Sequence, residues 1–324
     1  MSTNFPRREF FRLAAGSALA APVVASQAAE APAAGSPPAA SEKQPDGSVL
    51  TGLQAYAIGP QAWVRLDNRI IACYRAHPTQ KFPYLYPLAG PATGLPVTDE
   101  TSLPWPHHRS VYFGSDVVNG TDFWSANTAP GRIISQGLAA RNDGPDKVVI
   151  TDKCDWTKAD GRVPMRDQRT ITVSAASGKS VILDWDITWT AVEDIRIPKT
   201  NHSLFSIRAA RELTPAGTGN LVSSEGKKGE KETFGQPAAW CAFYGARGPG
   251  QVVEGVCLMD HPSNPWVPCP WFTRDYGFAS PTPLFFAKEP WKLAAGQSVR
   301  LRYRVVSFAG TPEQAGLAGL MPKG

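Results

Sequence analysis

Two short stretches crowd together imidazole, guanidinium and carboxylate side chains able to move a proton, hold a charge or bind an ion. The first is Leu103-Pro104-Trp105-Pro106-His107-His108-Arg109-Ser110-Val111-Tyr112-Phe113-Gly114, followed by Asp116, Asn119-Gly120 and Asp122-Phe123-Trp124. The second is Asp260-His261-Pro262-Ser263-Asn264-Pro265-Trp266, followed by Trp271-Phe272-Thr273-Arg274-Asp275-Tyr276-Gly277. An imidazole titrates near neutral pH, so His107, His108 or His261 could relay a proton, with Asp260 or Asp122 orienting it or acting as the base. Neighbours in an extended segment point to opposite faces, so only one of His107 and His108 is expected at a site unless the backbone turns between them. Pro262 and Pro265 restrict the chain around Ser263-Asn264 and should hold Asp260 and His261 rigidly at the end of a strand expected at 252–259. His202, opening the run Ser203-Leu204-Phe205-Ser206-Ile207-Arg208, is a weaker candidate, and His77 beside Pro78 is given no role. Each stretch also has a plain reading: Asp260 as a turn carboxylate accepting a backbone N–H, and His107-His108-Arg109 as a solvated patch.

The elements that must position these residues read as strands. From Val181 to Ala191 every odd position is apolar, and the even ones after Ile182 are Asp or Thr, the pattern of a strand with one buried face. Val299-Arg300-Leu301-Arg302-Tyr303-Arg304-Val305 repeats it, its arginines lining a groove or facing solvent. Further strands are expected near 61–67, 69–75, 84–88, 111–114, 147–155, 169–175, 202–210, 239–246 and 252–259. With 30 Pro and 29 Gly in 324 residues, long helices are excluded, and the one helix-like run is Pro312 to Leu320. Without a β-α-β succession there is no Rossmann fold or TIM barrel, and the expectation is all-β: one large antiparallel β-sandwich over 49–324. The polar, glycine-rich segment 217–232 should be a mobile excursion able to lid a site.

Arg7-Arg8 before an alanine-rich apolar run to about Ala25 reads as a twin-arginine signal over 1–28, which implies periplasmic or other extracytoplasmic export of a folded protein. Residues 29–48 read as a disordered Ala/Pro-rich tether. The formal charge of +5 falls to +3 without Arg7, Arg8, Arg12 and Glu9, too slight for a nucleic-acid binder. After the signal no apolar stretch approaches the length of an integral membrane span. The five cysteines form no C-x-x-C pair, which disfavours a zinc ribbon; one or two disulfides or plain buried thiols both fit. No G-x-S-x-G elbow, P-loop, H-E-x-x-H or G-x-G-x-x-G is present.

The run from Pro106 to Gly114 with Asn119-Gly120 and Asp122-Phe123-Trp124, and later Asp260 to Pro265 and Trp271 to Gly277, resembles the family catalogued as PmoA, "methane oxygenase". The resemblance spans most of 55–310. It implies an exported bacterial protein of a largely uncharacterised family, with a sandwich like that of galactose mutarotase. Similar proteins tend to carry histidine after the tryptophan of the last motif, where this chain has Phe272.

The leading functional expectation is a carbohydrate-active enzyme, a lyase, hydrolase or epimerase working by His/Asp proton transfer on a sugar or glycosidic linkage. Trp105, Trp124, Trp266 and Trp271 would stack on sugar C–H faces. Arg109 and Arg274 would hold hydroxyls or neutralise a uronate, with His202 also in contact with substrate. No metal is assigned, and cofactor-free and single-metal chemistry are both open. The alternatives are a non-catalytic carbohydrate-binding envelope protein and a metal-dependent oxygenase with ligands drawn from His107, His108, His202 and His261.

Overall fold

The alternating pattern places tryptophan on one face and aspartate on the other, and the chain buries the first of these. The computed structural model describes residues 51–125, 131–176 and 178–324, so the expected signal and tether lie outside the described residues. Two antiparallel sheets pack face to face. One has eight strands in the spatial order β1 (Leu53–Ile58), β2 (Gln61–Leu66), β3 (Arg69–Arg75), β4 (Tyr84–Leu88), β5 (Val111–Ser115), β12 (Ser203–Arg208), β17 (Phe278–Pro281) and β16 (Trp271–Arg274). The other has nine: β13 (Asn220–Ser223), β14 (Trp240–Arg247), β15 (Val252–Asp260), β19 (Ser298–Ala309), β10 (Ser180–Ala191), β9 (Met165–Ala176), β8 (Lys147–Thr157) and β6 (Arg132–Ser135), with β7 (Ala139–Asn142) also on β8. β11 (Ile195–Ile197) and β18 (Trp291–Leu293) form a separate ribbon. The all-β antiparallel sandwich is therefore what the chain adopts.

Aromatic rings join the two sheets. Phe205 of β12 stacks on Tyr303 of β19 at 4.5 Å and meets Trp185 of β10 edge-on at 5.1 Å. Phe113 of β5 meets Trp189 of β10 at 5.5 Å. Across the outer face of the nine-stranded sheet Arg304 holds Asp184 with hydrogen bonds of 2.6 and 2.9 Å, and Arg300 pairs with Asp186. The arginines of β19 are thus partners of the β10 aspartates, stapling neighbouring strands instead of lining a groove.

Three expectations need correction. The 217–232 segment contains β13, paired with β14, and the short helix α1 (Gly229–Thr233), so its glycines shape turns at an ordered sheet edge and not a lid. Of the helix expected at Pro312 to Leu320 only a single turn, Leu317–Leu320, forms, because Gly316 takes a left-handed φ of +64° and ends the preceding turn. All five cysteines are free and buried, which leaves the disulfides out and bears out the small-hydrophobe reading.

Strand periodicity also decides where chemistry can sit. Because Phe113 and Phe205 point into the sandwich, their neighbours Tyr112, Ser206 and Arg208 point to the outer face of the eight-stranded sheet. Yet β5 and β12 are buried at every position, so loops must roof that outer face.

Candidate functional site

The roof is the loop preceding β5. There the chain turns, with the backbone N–H of His108 donating to the carbonyl of Trp105 at 3.1 Å, and the turn swings both imidazoles to the same side. The rings of His107 and His108 lie 4.4 Å apart, edge to face. His202, from the segment leading into β12, lies 5.5 Å from His107, and one ligand nitrogen from each of the three residues falls within 4.8 Å of the others. The expectation that one of the adjacent histidines would be excluded is corrected: the backbone is not extended there, so face alternation does not apply.

Asp116 completes the group. Its Oδ2 lies 3.0 Å from Nδ1 of His202, and Thr200 donates to its Oδ1. The backbones lock the pair further, with Asp116 N–H donating to the carbonyl of His202 at 2.9 Å. This leaves Nε2 of His202 for the cluster, the arrangement by which a carboxylate fixes the tautomer of a metal-ligating histidine. Val117, immediately after Asp116, is held at φ +46°, a left-handed conformation costly for a β-branched residue. Asp116→Asn is expected to lower ion affinity about 10- to 100-fold without unfolding the protein, checked by competition with a chelating dye and by thermal melting.

Burial, and secondarily the charge of His202 and Arg208 against the pull of Asp122, lowers the pKa of His107 to about 4. Burial, with His107, Arg208 and His202, lowers that of His108 to about 2. Both rings are therefore neutral at physiological pH, the state in which imidazole binds a metal. Tetrahedral bonds of 2.0–2.1 Å space ligand atoms by about 3.3 Å, so small side-chain rotations would bring the three nitrogens onto one ion.

The imidazoles open on a cavity of about 250 Å³ whose remaining walls are Trp105, Asn201, Phe272, Arg274, Tyr276 and Phe278. His108 packs on Phe278 at 4.3 Å and on Tyr276 at 6.0 Å, while half-exposed Trp105 stands edge-on to His107 at the mouth. Arg274 lies over Phe272 at 4.2 Å and pairs with Glu230 at 2.9 Å. Trp124 is buried behind His202, its ring stacked at 5.9 Å. Seven buried polar atoms at this site find no hydrogen-bond partner among the described residues: Nε2 of His107, Nδ1 of His108, the hydroxyls of Tyr112 and Ser206, Nε1 of Trp124, and Nε and Nη1 of Arg208.

Other expected site residues do other work. Asp122 accepts from the N–H groups of Trp124 and Ser125 at 2.7 and 2.9 Å and from the Ser125 hydroxyl. Burial pushes its pKa up, but these hydrogen bonds and Lys81 outweigh it and hold the carboxyl below its ordinary range, as suits a turn cap more than a base. Arg109 turns away to Gln80 and the Tyr84 ring. Trp271 is fully buried and donates to the carbonyl of Ala238 at 2.8 Å, and Trp266 packs on Trp291 against the core, so neither presents a face to this cavity.

Asp260 and His261 do not join the three histidines. The charges felt by His261 are those of Arg302, Arg304, Asp184 and Asp186 on the outer face of the nine-stranded sheet, and its Nδ1 accepts from the Ser263 backbone at 3.1 Å. Asp260 borders a second cleft of about 630 Å³ with Lys227, Glu225, Gln236 and Val267. That cleft is larger but gathers no set of ligand or nucleophile groups, so the histidine cavity is the better site. Burial raises the Asp260 pKa to about 7 against the hydrogen bond from Asn264. An acid raised on folding stabilises fully at low pH, and this share fades as pH climbs from about 4, where the unfolded carboxyl ionises, to about 7. Asp260→Asn should therefore melt progressively higher than the parent chain across that window, as read by melting temperature against pH.

Sequence reasoning missed Asp116 as the partner of His202, Tyr276 and Phe278 as cavity wall, and Arg208 and Tyr112 as the buried layer behind it. Tyr112, Asp116 and Tyr276 stood within the two stretches and Arg208 closed the run after His202, whereas Phe278 carries no local signal beyond residue type. No curated protein matches the chain. Among solved structures it is similar to the GH36 α-galactosidase AgaA of Geobacillus stearothermophilus in complex with raffinose. The identity is 9% and the TM-score 0.30, and the match covers 79% of this chain but only 40% of the enzyme's length. A family model matches residues 61–321, from β2 to the last turn, with the three histidines inside. The chain belongs to the family of unknown function DUF6807.

Proposed function

We propose that the chain is a metal-dependent enzyme whose ion is held by His107, His108 and His202 and whose substrate is a small, sugar-like molecule in the aromatic-walled cavity. The observation that carries this reading is the convergence of three imidazoles from two separate segments, two of them held neutral by burial, with ligand atoms within 4.8 Å and a carboxylate orienting the third. An all-imidazole set suits zinc, copper, iron or nickel, and three protein ligands leave a position for water or substrate. Bound there, such an ion would polarise a substrate oxygen or lower the pKa of a bound water. The protein's own part is to hold His107 and His108 neutral, to fix His202 through Asp116, and to present Trp105, Phe272, Tyr276 and Phe278 as apolar walls for a sugar ring.

A second reading, proton transfer by His202 without an ion, is favoured by the Asp116 dyad alone. His107 and His108 could not share that work near neutral pH, since burial keeps them unprotonated. The resemblance to the PmoA-named exported proteins belongs to this proposal, as does twin-arginine export, which would carry the folded chain with its ion in place. Where that resemblance leads one to expect histidine, Phe272 lines the same cavity. No helix of the described residues is long and apolar enough to cross a membrane.

The test is elemental analysis of the full chain purified after export, together with turnover of an oligosaccharide and sugar panel. Near-stoichiometric transition metal, and activity lost on chelation and regained on reloading, is the expected result. A chain that neither retains nor takes up such an ion at micromolar concentration overturns the reading.

A further inference from the structure

Beneath the histidines lies a charge with no counter-ion. Arg208 is 2% exposed, and the one hydrogen bond of its guanidinium among the described residues runs from Nη2 to the carbonyl of Leu103 at 3.2 Å. Its guanidinium lies 4.6 Å over the ring of Tyr276, which in turn packs on His108. No carboxylate forms an ion pair with it among the described residues. Asp99, the acid whose charge it feels, receives the hydroxyl of Ser102 instead. The remaining acids near the cavity are engaged elsewhere: Asp116 with His202, Asp122 with its own turn, and Glu230 with Arg274.

A buried charge without a partner is costly, and a divalent ion on the imidazoles next to it would add positive charge. The other unpartnered groups in this layer, Tyr112 Oη, Ser206 Oγ and Trp124 Nε1, are two hydroxyls and an obligate donor, all able to donate to an oxyanion. They are grouped by the sheet itself: Tyr112 pairs in register with Ser206, two residues before Arg208 on the same face, and Trp124 lies 4.7 Å from the Tyr112 ring. From this charge imbalance and donor set we infer that the substrate carries a carboxylate, a uronate or other sugar acid, whose charge is balanced by Arg208. The inference rests on the proposed function for the sugar and the ion, but the acid preference itself needs only Arg208.

The experiment is calorimetric titration of the full chain, zinc-loaded and metal-free, with glucuronate, galacturonate and mannuronate against glucose, galactose and mannose. At least one acid is expected to bind tenfold or more tightly than its neutral parent, and Arg208→Met to erase that preference with no fall in melting temperature, because it removes an unpaired buried charge. Tyr112→Phe, which deletes a single oxygen, keeps the test in force if Arg208→Met does not fold, and should weaken acid binding several-fold while leaving the neutral sugar unchanged. Equal affinities within every pair, or no binding of any acid at millimolar concentration, overturn the inference even where zinc binds stoichiometrically. An acid preference that depends on Arg208 in a chain that binds no zinc would sustain it while removing the metal.

Discussion

Alanine at His202, His107 or His108 is expected to abolish stoichiometric metal binding, with a loss of affinity well beyond the roughly 10- to 100-fold given by an orienting partner. Each histidine supplies one of three ligand atoms, and none of the other acids, histidines or cysteines of the described residues belongs to a metal-holding group with them. The effect has a second readout. An ion that binds only the folded chain adds about 2.7 kcal/mol at a hundredfold excess over its dissociation constant, so the parent protein should melt higher with zinc and the three variants should not. His261→Ala is the matched control, because its ring faces the charges of the opposite sheet: metal content, the zinc-dependent rise in melting temperature and activity should all survive. If His261→Ala loses metal and His202→Ala keeps it, the centre has been placed on the wrong sheet.

Trp271→Ala is expected to destabilise the fold by about 3–5 kcal/mol, since it empties a fully buried indole site and strips the Ala238 carbonyl of its donor. In a domain of this size that lowers the melting temperature by roughly 10 °C. Trp105→Ala, at the half-exposed mouth, should leave stability nearly unchanged and weaken sugar binding instead. Chemical denaturation of the two variants, with ligand titration of the folded ones, separates a core tryptophan from a substrate platform. A Trp271→Ala chain as stable as the parent would return that side chain to the surface role that its sequence neighbourhood suggested.

The contrast between these tryptophans shows where sequence reading succeeds. β10 was legible almost to the residue and β19 over its first half, 299–305, because Trp185, Ile187, Trp189, Leu301, Tyr303 and Val305 are buried at a strict period of two between charged or polar neighbours; beyond Val305 both faces of β19 are buried and the alternation ends. The short strands β6, β7, β11, β13 and β18 were not, being three or four residues long, too brief to show a period. Trp266, Trp271, Trp105 and Trp124 all sit among prolines, glycines and polar residues, so composition grouped them as one aromatic wall. Only packing separates Trp271, under Ala238, from Trp105, at the cavity mouth.

The candidate site divides in the same way. His107, His108 and His202 were visible as residue types, and Asp116 stood in view beside them. That Asp116 serves His202 could not be seen, because the two are 86 positions apart and meet only when β12 pairs with β5. Asp260 and His261 matched the first stretch in chemistry but belong to the other sheet, where β15 ends beside β19.

By itself the chain's alternation of apolar and polar residues determined an antiparallel all-β protein and named the loops rich in chemistry, since both depend on neighbours in sequence. Which loops converge was decided only by the tertiary structure: strand pairing joins segments distant in sequence, and a single turn at His107 places on one side two imidazoles that an extended chain would hold apart.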